Sequence, residues 1–98
     1  GENQMRKTAR VDDNQRVIVA ALRDAGAFVQ TLHQVGGGCP DLLISFRDAW
    51  FVFEVKDGDK SASRQRLTPD EELWHQQARA RVYVVTDIDE ALAAIGAI

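Results

Sequence analysis

Two carboxylates and an amine stand where neighbouring strands would bring them together. Gly38-Cys39-Pro40-Asp41 leads into one apolar run, and Glu54-Val55-Lys56 closes the next one after a turn. Antiparallel pairing sets the start of one strand beside the end of its hairpin partner, so Asp41 should meet Glu54 and Lys56 at one end of the hairpin. Asp41 and Glu54 are hard oxygen donors suited to Mg²⁺ or Mn²⁺, ions that commonly take one or two protein carboxylates and keep several waters. Alternation places Glu54 and Lys56 on one face of the strand and Phe53 and Val55 on the other, with the backbone carbonyl of Val55 close enough to be a third ligand. Such a metal lowers the pKa of a bound water and polarises a phosphoryl oxygen, while the Lys56 ammonium would orient or help deprotonate that water and steady the developing charge. The chemistry is phosphodiester hydrolysis. An isolated Glu-x-Lys at a strand end is usually a weak surface pair, and Pro40-Asp41 at the start of the partner strand is what distinguishes this one.

The elements that would hold these residues follow from spacing. Ile18, Ala21, Leu22 and Ala25 repeat at helical intervals after the polar start Asp12-Asp13-Asn14, and Gly26 is a suitable stop. Strands are expected over 27–34, 41–46 and 50–55, with Arg47-Asp48-Ala49 as the turn between the last two. Residues 57–66 are polar and read as a loop beside the site. Thr68-Pro69-Asp70-Glu71 has an N-cap, a proline at the first helical position and early acids, and opens a helix through Leu73, Trp74 and Gln77. Arg81 to Thr86 reads as a strand, and Asp87 caps a last helix from Ile88 to Ile95 before Gly96. The order αβββαβα, with helices flanking a mixed sheet, is an α/β sandwich.

A chain of 98 residues makes one domain. Residues 1–4, ahead of Met5, are expected to be a remnant in front of the natural start, leaving 5–98 as the domain. With 45% hydrophobic and 28% charged residues the composition is that of an ordinary soluble domain, and a core of this size would gain from a dimer contact. One cysteine, no apolar stretch long enough for a membrane span and no secretion-signal layout point to the cytoplasm. The net charge of -3 argues against a general nucleic-acid coat protein. Charge is unevenly spread, however: residues 5–16 and 56–66 are locally basic, and the acid excess lies after Leu67, where helix starts welcome carboxylates. Lys60, Arg64 and Arg66 follow the catalytic strand and are candidates for phosphate contact.

Glycines 36–38 precede a strand, whereas a phosphate-cradling loop opens a helix, so nucleotide binding is disfavoured. Gly37 and Gly38 either let backbone approach DNA or complete a tight turn. Cys39 reads as a small, partly buried residue without a base to make it a nucleophile. His75 can touch phosphate or be a satisfied helical histidine, and His33 is less informative. Apolar neighbours make core packing the default for Trp50 and Trp74.

The pattern resembles the PD-(D/E)XK nuclease superfamily, and within it the small stand-alone VRR-NUC (virus-type replication-repair nuclease) domains. The resemblance runs through nearly the whole chain from Met5. It rests on residues 35–43, on the run Glu54-Val55-Lys56-Asp57-Gly58, on Leu67-Thr68-Pro69 with Trp74-His75, and on the closing segment 86–95. It implies a restriction-endonuclease-like αβββαβ core with an extra C-terminal helix, dependence on Mg²⁺ or Mn²⁺ without a small-molecule cofactor, and a homodimer that cuts four-way (Holliday) junctions in DNA repair, in a bacterial or phage-infected cell. By position it makes Asp41 and Glu54 metal ligands and Lys56 the catalytic lysine. Two positions depart from the pattern. Such nucleases often carry a glutamate on the first helix, where this chain offers Asn14 or Val17 with Asp13 and Gln15 nearby; similar domains often have a glutamine where Glu71 stands. Asn14 and Glu71 are therefore accessory candidates. The alternatives are a restriction-type nuclease on linear duplex, a non-catalytic DNA-binding or assembly module of the same fold, and a domain that works only when tethered to a partner such as a helicase.

Overall fold

The computed structural model of the chain describes residues 13–58 and 66–98. Lys60 and Arg64, and the basic residues before Asp13, lie outside the described residues. The first helix, α1, spans Asp13–Asp24, where Gln15, Ile18, Val19 and Leu22 share one stripe and are buried. The chain leaves the helix through Gly26, whose φ of 99° suits a residue without a Cβ.

Three strands follow: β1 (Phe28–Thr31), β2 (Leu42–Phe46) and β3 (Ala49–Val55). Strand β1 is shorter than the expected 27–34, because only Phe28 to Thr31 have partners on β2. Arg47 and Asp48 make the β2–β3 connection, both with positive φ, while Ala49 already pairs with Phe46. Two residues of this conformation match the twist of a tight hairpin. Helix α2 (Pro69–Gln77) crosses to a short parallel strand, β4 (Tyr83–Val85), and α3 (Ile88–Ala94) closes the order αβββαβα. The sheet order is β1-β2-β3-β4, antiparallel except for the last pair. The fold is α/β: among the described residues, a mixed four-stranded sheet with three helices. Among the described residues no helix is long and apolar enough to cross a membrane.

The inner face of the sheet carries the core. Val29, Leu42, Ile44, Phe53, Val55 and Val85 pack with Ile18 and Leu22 of α1 and Ala91 of α3. Phe53 is fully buried and meets Tyr83 at 5.8 Å between ring centroids. The expected core role of Trp50 does not hold: it is 67% exposed. Trp50 alternates with Phe51 and Phe53, so it points to the outer face, away from α1 and α3. Trp74 is half-buried, its ring edge-on to His75.

Candidate active site

Asp41 stands one residue ahead of β2, and its backbone is stitched on both sides. Its N–H donates to the Phe53 carbonyl at 3.0 Å, and its own carbonyl accepts from Leu32 N–H at 2.8 Å. The carboxylate turns toward the end of β3, where Oδ2 accepts from Val55 N–H at 2.7 Å. Backbone carbonyls alternate along a strand, so that of Val55 faces the same edge as that of Phe53, toward Asp41.

Glu54 projects from the outer face of β3, yet only 2% of it is exposed. Burial pushes its carboxyl up to about 9; a hydrogen bond with Asp41 and the negative charges of Asp41 and Glu71 act the same way, and Lys56 opposes them. His75 Nε2 lies 3.3 Å from Glu54 Oε1. Burial first, and the neighbouring carboxylates after it, thus favour the neutral form of Glu54.

Lys56 follows on the same face. Its Nζ donates to Glu71 Oε1 at 2.8 Å, with both side chains mostly buried. The same Oε1 accepts from Thr68 N–H at 2.9 Å, and Thr68 Oγ1 accepts from Glu71 N–H, closing a capping box at the start of α2. Burial raises the Glu71 carboxyl, but the bonds from Lys56 and Thr68 and the lysine charge outweigh it, leaving Glu71 below the ordinary carboxylate range. The backbone of Lys56 is fixed as well: its N–H donates to Val85 O at 2.9 Å, and its carbonyl accepts from Asn14 Nδ2 at 2.8 Å.

The remaining candidates fall into different places. Asn14 also donates to the Thr86 carbonyl at 3.1 Å, so its amide ties α1 to the ends of β3 and β4. Asp13 pairs with Arg16 on the surface, and Val17 is half exposed. Gln15 is buried with its Nε2 unpaired, a feature its sequence neighbours do not announce. Gly38 takes φ 83° and sits against the first turn of α2, where a Cβ would run into the Asp70 carbonyl and come within 2.9 Å of Glu71 N. Its need for glycine is thus a packing contact with α2. Gly37 has φ 65° and open space around it. Arg66 is exposed. His75 faces Glu54 inside the site. Burial first, then the charges of Glu54 and Asp41, push the Cys39 thiol above its ordinary value, which makes it a poor nucleophile.

The residues fit a hard divalent cation. Among the described residues no three His, Cys, Asp or Glu side chains group as a ready-made cage. Two carboxylates, one backbone carbonyl and water are nonetheless a usual set for Mg²⁺, and a dication here would favour the ionised form of Glu54 that burial and the neighbouring carboxylates oppose. Compared with family models, with curated proteins and with solved structures, the chain finds no match in any of the three.

Proposed function

We propose that the chain is a Mg²⁺- or Mn²⁺-dependent endodeoxyribonuclease of the PD-(D/E)XK type, resembling the VRR-NUC domains, that cuts branched duplexes such as four-way junctions as a homodimer. The observation that carries this reading is the convergence of a shared Asp41–Glu54 carboxyl pair with the Lys56 ammonium at one end of the β2–β3 hairpin. Asp41, Glu54 and the Val55 carbonyl would hold the ion, which supplies a water of lowered pKa and a polarised phosphoryl oxygen. The Lys56 ammonium has three N–H donors, of which Glu71 takes one, so it can also orient the attacking water and balance charge on the phosphoryl oxygens. In-line attack breaks the P–O3′ bond and leaves a 3′-hydroxyl and a 5′-phosphate, a polarity that rests on the resemblance. Lys60, Arg64 and Arg66 are the proposed phosphate contacts, with Gly37 the remaining candidate for a close backbone approach.

A second reading has its own support. With Asn14 spent on two carbonyls and Asp13 on the surface, α1 supplies no carboxylate to the site among the described residues, as in a non-catalytic DNA-binding module of the same fold. Cleavage of labelled four-way junction and linear duplex in Mg²⁺ or Mn²⁺ separates the readings. Junction cutting that is lost in Lys56→Ala supports the junction nuclease, and linear cutting lost in the same way supports a restriction-type enzyme. Folded protein that binds DNA and cuts neither refutes both kinds of nuclease and supports the non-catalytic module.

A further inference from the structure

Glu54 and Lys56 are two residues apart on a strand, about 6.6 Å along its axis. Glu71 and His75 are four apart on α2, about one helical turn and on one face. The two repeats nearly match, and the charges are crossed: the helix carboxylate meets the strand lysine at 2.8 Å, and the helix histidine meets the strand carboxyl at 3.3 Å. Helix α2 is itself fixed at this place by the Gly38 approach to Asp70 and Glu71 and by the Thr68 cap.

We propose that Glu71 and His75 are a positioning pair, through which α2 holds Lys56 and Glu54 in the geometry the reaction needs. The proposal rests on the nuclease reading. Lysine has a long flexible stem, and a tether at its tip removes most of the orientations its ammonium would otherwise sample. That gain is felt in kcat, because it concerns the placement of a reacting group already present in the bound complex. His75 does the corresponding service for Glu54, orienting the carboxyl as outer partners orient metal ligands. Glu71 is suited to the task because one oxygen, Oε1, accepts from both Lys56 and Thr68, so the tether is anchored to the start of the helix.

The test compares three variants on the junction substrate. Glu71→Ala should lower kcat roughly 10- to 100-fold with KM little changed. Glu71→Gln, whose carboxamide oxygen accepts the same two N–H bonds, should recover most of that loss. Thr68→Ala weakens the cap but leaves Lys56 on Glu71, so it should lower thermal stability with kcat nearly intact. Equal kcat losses in Glu71→Ala and Thr68→Ala, or no recovery in Glu71→Gln, would reduce Glu71 to a helix cap and overturn the proposal. In parallel, the ¹³C signal of reductively methylated Lys56 should move in Glu71→Ala and stay in Thr68→Ala, with or without DNA cutting. His75→Ala should weaken Mn²⁺ binding, read by calorimetry, by roughly 10-fold or more; unchanged affinity removes His75 from the pair. If the wild type cuts neither DNA, the nuclease reading fails and the catalytic role falls with it. If the wild type cuts but the Lys56 signal ignores Glu71→Ala, the tether alone is refuted.

Discussion

Replacing Glu54 by glutamine should stabilise the metal-free protein near neutral pH and remove most of its pH dependence between about 5 and 9. The side chain is 2% exposed, and its carboxyl is raised from an ordinary 4.5 to about 9, first by burial and then by Asp41 and Glu71. The folded state therefore holds a proton that the unfolded chain releases. Stability from this group is present in full below the unfolded titration and is lost as pH rises through the folded one. At pH 7 the carboxyl is about 2.5 pH units past its unfolded titration, and at roughly 1.4 kcal/mol each the cost is about 3 kcal/mol. Taking a buried amide out of water still costs free energy, so about 2 kcal/mol is the expected gain in the variant, on the order of 10 °C in Tm for a domain of this size. Glutamine keeps the shape and can donate to Asp41 while accepting from His75.

The assay is thermal and urea unfolding in a chelator at pH 5, 7 and 8.5, a window below the raised titration of Cys39. Wild type should lose stability steadily across it, and Glu54→Gln should stay nearly level. Mn²⁺ at pH 8 should then raise the wild-type Tm by mass action on the folded state, and leave the variant almost unmoved. Parallel pH slopes in the two proteins, or a variant less stable than wild type at pH 8.5, would refute the claim that a proton on Glu54 relieves the site.

Two further predictions concern the scaffold. Gly38→Ala meets the Asp70 carbonyl in a left-handed backbone conformation and should cost about 3 kcal/mol, whereas Gly37→Ala, strained only by its φ, should cost about 1 kcal/mol; calorimetry on both variants separates clash from conformation. Asn14→Ala removes two amide bonds to the carbonyls of Lys56 and Thr86 and should cost about 1 to 2 kcal/mol. Asn14→Asp should be worse above pH 5, since a carboxylate cannot donate to either carbonyl; a more stable Asp than Ala variant in urea would show that the amide is not the tie.

The parts of the site that could be read from sequence are those whose geometry is local. Period-two alternation fixes which face Glu54 and Lys56 share, and antiparallel pairing of two runs joined by a short turn sets Asp41 beside them, although Ala49, expected in that turn, already pairs with Phe46. The start of α2 was equally legible at Thr68 and Pro69, because an N-cap, a proline and early acids are local signals; the structure adds that Thr68 and Glu71 close a capping box. Trp50 was misread for a related reason: its apolar neighbours are real, but they lie on the other face of β3, and only the placement of α1 and α3 says which face is inside. Nothing within α2 announces that its Glu71 and His75 would face the two ends of Glu54-x-Lys56. That pairing joins a strand repeat to a helix repeat across a connection of 13 residues, 56–68, and is decided by where the helix docks. The docking in turn depends on Gly38, a residue that sequence offered as a turn or a DNA contact and that the structure places against the α2 backbone. A missing Cβ thus permits the helix approach, the approach delivers Glu71 and His75, and those two set the side chains on which the proposed chemistry depends.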